Sequence, residues 1–172
     1  MENDFVIKII IYGVLICLFV LQIILYLRGV ESDWYRSLDI TTSYSLGGGV
    51  VAWVVVYAFV LIGYTFIAFT VKDAPIDFLI GLTIASLSLT VLWNFVFFYA
   101  RDILLSVVIQ IAVTAIFLWV TFVVFEISVF GGLMQLPVLL RTYFLFYQNV
   151  VLYLDNSDKS NLRPLKRRRN GR

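Results

Sequence analysis

Residues 136–149 read LPVLLRTYFLFYQN. Arg141 stands in this stretch with apolar or aromatic residues on nearly every side. What a guanidinium does there depends on whether the segment lies in water or in hydrocarbon. Composition decides between them. Of the 172 residues, 62% are hydrophobic and 14% are charged. A soluble domain is roughly 45–50% apolar and about 25% charged. The mean hydropathy is +0.97. A soluble core of this length cannot absorb such an excess, so the chain is read as an integral membrane protein and residues 136–149 as part of a spanning helix.

Working outward, five apolar runs emerge, at residues 5–27, 46–71, 76–99, 103–125 and 133–154. Each reaches the ~20 residues a bilayer-spanning helix needs. The expected fold is all-α, a bundle of five transmembrane helices over residues 1–154. A tail at 155–172 is polar, basic and, by composition, disordered. The first run is too long for a signal peptide's apolar region, has no basic segment ahead of it and lacks a small-residue cleavage pattern, so it is read as a retained helix. In KDAPID, Asp73 is the expected N-cap, Pro75 falls in the first turn and Asp77 near the positive helix end. ARDI at 100–103 is a very short turn, EISVFGGL at 126–133 a slightly longer one, and residues 28–45 form the sizeable first loop.

Basic residues orient the bundle. The side holding the tail carries Lys159, Arg163, Lys166, Arg167, Arg168, Arg169 and Arg172, with Arg28 and Arg36 of the first loop and Arg101 of the third. The other side carries Lys8 and Lys72. This asymmetry puts the C-terminus in the cytoplasm and the N-terminus outside. The run KRRRNGR follows a membrane helix closely, so it is read as an anchor drawn to anionic lipid, with no nucleic-acid role.

Most catalytic signatures are missing from the sequence. There is no His, the usual general base and the commonest metal ligand. The single Cys17 has no intrachain partner and reads as a small packing residue. SLGGGVV at 45–51 is no phosphate loop, because no Gly-Lys-Ser/Thr follows. The acidic residues sit at helix ends and in loops. The protein is not expected to be an enzyme.

Polar patterning inside the helices remains. Thr83, Ser86, Thr90 and Asn94 share one face of the third helix, with Trp93 beside them. Arg141, Gln148 and Asn149 share a face of the fifth, which Asp155 and Asn156 continue. Such faces turn toward other helices or a cavity, with hydrogen bonding between helices as the plain alternative to a ligand. Gly81, Ala85 and Ser88 form a small-residue stripe suited to close helix packing. Placed ~12 Å inside a ~30 Å core, Arg141 would cost at least ~2.5 kcal/mol facing lipid. Two inward partners are open, Glu126 at the outer end of the fourth helix and a ligand carboxylate.

Four fragments resemble the TspO/MBR family of tryptophan-rich sensory proteins and translocator proteins, also called peripheral benzodiazepine receptors. DWYRSL at 33–38 resembles the family's Trp-Tyr-x-x-Leu in the first loop. AWVVVY at 52–57 resembles its Ala-Trp-x-x-x-Tyr in the second helix. LWNFVFFYARD at 92–102 resembles its Leu-Trp-x-x-x-Phe-Phe-x-x-Lys/Arg at the end of the third. LPVLLRTYFLFYQNVVLYLDN at 136–156 resembles its Leu-Pro-Tyr-Leu-x-Trp opening of the fifth, with Asn149 and Asn156 in register. There are departures: the proline-rich stretch of the first loop is DITTSYSLGGG, the Gln and Asn of the third helix are Ser86 and Thr90, and the Trp of the fifth is Arg141.

The resemblance implies a five-helix receptor, carrier or sensor, often a homodimer, with a pocket closed by the first loop. Its implied ligands are tetrapyrroles such as protoporphyrin IX or haem, and in some members sterols; no cofactor is required. Tyr35 and Trp53 would line the pocket, and Thr90, Trp93, Arg141 and Asn149 are further candidate contacts. The alternative for Trp34 and Tyr35 is a belt at the membrane interface. Two other classes stay open: a structural or interaction protein of the membrane, and an ion- or proton-coupled transport subunit using Arg141 and Glu126.

The asymmetry of charge makes a testable statement. A cysteine tag after Arg172 should be labelled only from the cytoplasmic side, and one before Met1 only from the other. Labelling of both from one side would require an even number of spans.

Overall fold

The structure is a computed structural model that describes residues 2–38, 46–72 and 74–169, with side chains described for 13–38, 49–72 and 74–157. Its elements are α1 (Glu2–Val30), the short α2 (Asp33–Arg36), α3 (Leu46–Thr70), α4 (Ile76–Asn94), a π-helical segment (Phe95–Ala100), α5 (Ile103–Ile127) and α6 (Val129–Arg169). Five of these helices contain spans long and apolar enough to cross a membrane: Gly13–Val30, Gly49–Thr70, Ile76–Ala100, Ile103–Ile127 and Val129–Ser157. The Asp73 cap lies outside the described residues; Pro75 holds the N-cap position of α4 and makes no side-chain cap bond.

The turns are shorter than the hydropathy suggested, for a local reason. Ser128 alone separates α5 from α6, with its backbone extended. Its hydroxyl accepts from the Gly131 N–H, capping α6 four residues earlier than the apolar run begins. On the opposite side Arg101 takes the left-handed conformation at φ 60°, and Asp102 caps α5 by accepting from the Leu105 N–H at 2.9 Å. The last helix runs on to Arg169, so the backbone of the basic tail is helical up to that point where disorder was expected.

The helices close a ring in the order α1, α4, α5, α6, α3. The α5–α6 seam is the most extensive, α3 rests mainly on α6, and α4 lies between α1 and α5. Contact of α3 with α1 and with α4 is slight. Glycines set the tight seams. Gly132 lies against the Phe125 ring, Gly63 faces the Met134 Cβ, and Gly131 meets the Ile67 methyl. Gly29 of α1 lies against the Phe98 ring. The stripe on α4 is a different matter. Gly81, Ala85 and Ser88 are all exposed, and nothing stands within 4 Å of where a Gly81 Cβ would be. The stripe therefore faces out of the bundle, and the close packing expected of it occurs at Gly63 and Gly131 instead.

The inward faces agree with the helical period. Thr83, Ser86, Thr90, Trp93 and Asn94 are buried, as are Gln148, Asn149 and Asn156. Asp155 does not continue that face; it is exposed. Large apolar side chains such as Phe69, Phe122 and Leu140 cover the outside, as hydrocarbon contact requires.

These contacts predict opposite outcomes for two glycines. Gly29→Ala must push on the body of the Phe98 ring and should lower stability by about 1–3 kcal/mol. Gly81→Ala meets open space and should be neutral or slightly stabilising, since Ala is the better helix former. Thermal denaturation in detergent distinguishes them.

Candidate functional site

Three elements bring the site together. Phe19, Gln22 and Tyr26 recur along one face of α1 at helical spacing. Trp53 and Tyr57 stand one turn apart on α3, their rings stacked at 5.6 Å. Phe19 meets Tyr57 edge-on at 5.2 Å, and Tyr26 presses its hydroxyl against Gly49 at the start of α3. From α6, the Arg141 guanidinium lies 5.7 Å from the centre of the Trp53 ring. Its charge also reaches Tyr26. A cation over an indole face is a favourable contact, worth about 2 kcal/mol or more when desolvated.

The Glu126 partner is overturned by this geometry. With α6 starting at Val129, Arg141 lies about 18 Å along the helix axis from that start. Glu126 sits one residue from the end of α5 and is exposed. No ion pair joins the two. Among the described residues neither Nε nor Nη2 of Arg141 has a hydrogen-bond partner, although both are buried.

Arg141 has company in this respect. Both amide atoms of Gln22, the hydroxyls of Tyr26 and Tyr57 and the Trp93 Nε1 are buried with no partner among the described residues. Their reach explains it. Thr90 and Asn149 satisfy themselves by donating to the carbonyls of Ser86 and Leu145 at 2.8 Å. Asn94 does the same with its Nδ2 to Thr90. A stiff phenol, an indole or a guanidinium cannot fold back on its own turn. Their polar atoms therefore point into the bundle interior, where an unpaired polar group costs roughly 1–3 kcal/mol.

A second aromatic layer caps this interior from the first-loop side. Trp93 stacks on Phe97 at 5.4 Å, and Phe97 and Phe98 meet edge-on at 4.8 Å. Tyr35 packs edge-on against Phe97 and Phe98, and Trp34 against Phe97. The widened turns of the π-segment bury three successive residues, Val96, Phe97 and Phe98, which an α-helix packed on one side does not do. Tyr35 is 9% exposed, so the interfacial-belt alternative fails for it; α2 docks inward.

Of the residues expected at a site, Trp53 and Arg141 come together directly. Tyr35 and Trp93 form the capping layer. Thr90 and Asn149 are buried but turned to their own helices. Gln22, Tyr26 and Tyr57 were missed. Gln22 had a usable signal, as an amide deep inside an apolar run; the tyrosines had none, because a tyrosine in such a run reads equally as packing. Among the described residues no cluster of His, Cys, Asp and Glu could hold a metal ion.

The site thus lies in a polytopic membrane bundle whose interior has aromatic walls and unpaired donors. The chain belongs to the TspO/MBR family, whose profile matches residues 12–154. No individual curated protein matches it significantly.

Burial and the neighbouring Tyr26 push the Tyr35 phenol from its ordinary 10.0 up to about 12. The folded loop thus keeps a proton that the undocked loop releases. Docking should be fully stable below pH ~10 and weaken as pH rises toward ~12. Alkaline titration followed by phenolate absorbance should show a late step that Tyr35→Phe removes.

Proposed function

We propose that the protein is a non-enzymatic receptor, carrier or sensor for a large, flat, apolar ligand bearing a carboxylate, of the kind a tetrapyrrole such as protoporphyrin IX provides. The observation that carries this reading is Arg141, a cation at membrane depth held by the Trp53 face with Nε and Nη2 unpaired. A carboxylate accepts from both through charge-assisted bonds. Trp53, Tyr57 and Phe19 supply aromatic walls for a planar ring, and the first-loop layer of Tyr35 and Trp93 covers it. The chain has no His for axial ligation, which favours a metal-free porphyrin over haem. A sterol has no anion to offer Arg141 and fits less well. The expected orientation, N-terminus outside and C-terminus cytoplasmic, would put the covering first loop on the cytoplasmic side. A homodimer is consistent with the exposed small-residue face of α4.

Protoporphyrin IX should quench tryptophan fluorescence saturably, and Trp53→Phe should weaken binding. Arg141→Leu should weaken the free acid about tenfold or more while sparing its dimethyl ester, since a hydrogen bond to a charged group is worth about 1.5–3 kcal/mol. Arg141→Lys should restore part of the loss, lacking the planar fork. Equal losses for acid and ester would leave Arg141 a packing residue and remove the carboxylate anchor.

A further inference from the structure

The outward face of α6 carries a row of exposed side chains. Leu133, Leu140, Tyr147 and Leu154 recur along it every seven residues, all of them exposed. Phe144 and Val151 stand between them, and Tyr143 flanks the row. Arg141 turns the other way, onto Trp53, so this face stands whether or not Arg141 holds a carboxylate.

The two tyrosines sit at an unusual depth. Lipid-facing tyrosines gather at the membrane interface, where the ring lies against hydrocarbon and the hydroxyl reaches water. Within the span Val129–Ser157, Tyr143 is as far from one end as from the other, about 21 Å along the axis. Tyr147 is one turn further on. They are 63% and 55% exposed, so their rings face outward at mid-span. A short side chain so placed bonds to its own helix: the exposed Ser88 of α4 donates to the Ile84 carbonyl at 2.8 Å. A phenol is too rigid for that return, and neither tyrosine hydroxyl has a hydrogen-bond partner among the described residues.

Depth also selects what covers the row. Phospholipid esters stay at the interface, about 15 Å from the midplane of a ~30 Å core, so the missing partner has to be carried in on another helix. Lipid tails are as apolar as leucine, and helices in a bilayer are held together by packing and hydrogen bonds. A phenol both donates and accepts, so a second phenol at the same depth completes it. Copies of one chain insert with one topology, and a two-fold axis along the membrane normal brings each residue to the depth of its own counterpart. We propose that α6 is the contact face of a homodimer, in which the row packs on its counterpart and the tyrosine hydroxyls pair across the axis. The proposal rests on the homodimer reading above and gives the contact to α6 instead of α4, whose exposed stripe brings no unpaired group because Ser88 is already bonded. The seven-residue recurrence suits such a contact, since a 3.5-residue period keeps the row facing its partner through a left-handed crossing.

The test uses the full chain in phosphatidylcholine liposomes, with Cys17→Ser as background because Cys17 is exposed. Copies carrying donor or acceptor dyes on a cysteine added after Arg172 should show energy transfer that rises with protein density and saturates. In separate samples, Leu140→Cys should oxidise to a disulfide-linked dimer, whereas Gly81→Cys on α4 and Phe122→Cys on α5, also exposed, should not. Tyr143→Phe with Tyr147→Phe keeps both rings and should raise the density at half-dimerisation about three- to tenfold. Absence of specific transfer at every density would remove the homodimer itself. Transfer with linkage at Gly81→Cys and none at Leu140→Cys would keep the homodimer and overturn its α6 face. A half-dimerisation density unmoved by the double variant would overturn the hydroxyl pairing.

Discussion

Hydrocarbon supplies no hydrogen bonds, so every polar group carried into the bundle must be completed by the protein or by a guest. Short side chains meet that demand locally. Thr83, Ser86, Thr90, Thr114 and Thr121 donate to the carbonyl one turn back, and Asn149 and Asn156 do so with their amides. Of these, Thr83 also reaches another helix, its oxygen lying 2.9 Å from the Tyr64 hydroxyl of α3. Long or rigid side chains cannot make that return. Gln22, Tyr26, Tyr57, Trp93 and Arg141 keep unused polar atoms in the interior. Side-chain reach thus decides which polar atoms stay unpaired in the interior: those that cannot bond to their own helix.

Arg141 shows the consequence most sharply. The family carries an aromatic residue at this position of its fifth helix. Here a guanidinium replaces it and lies on the Trp53 ring. The indole face takes part of the load that a carboxylate partner would carry, because the ring quadrupole attracts the cation without neutralising its donors. A Glu126 partner would have left the charge structurally satisfied. A tryptophan partner leaves it held in place with Nε and Nη2 unpaired.

Uneven packing shapes the rest of the interior. Gly63 and Gly131 draw α3 against α6. Tethered on that edge, α3 meets α1 and α4 only lightly, and a cleft between them follows from this one-sided attachment. At the other end, Gly29 admits the Phe98 ring, and the π-segment turns Phe97 and Phe98 inward together. The first loop then has an aromatic floor on which Tyr35 can dock. A tight inner cap and an open outer flank arise from where glycine permits backbones to approach.

Much of this was legible in the order of residues. Five apolar runs of spanning length specify five helices, because no other unclosed backbone satisfies itself in a bilayer. The 3.6-residue period put Thr83, Ser86, Thr90 and Asn94 on a buried face, and the fragments around Trp34, Trp53, Trp93 and Pro137 carried the family. Tertiary structure decided what depended on one residue's local geometry or on a neighbour from another helix. The Ser128 hydroxyl started α6 four residues early and carried Arg141 out of reach of Glu126. The stripe at Gly81 faced outward, because small residues suit a seam but do not say which helix will supply its other side. That Arg141 rests on Trp53 is likewise a contact across 88 residues of chain. Hydropathy and periodicity are properties of one helix at a time. The partner of a buried charge is a property of the assembled bundle.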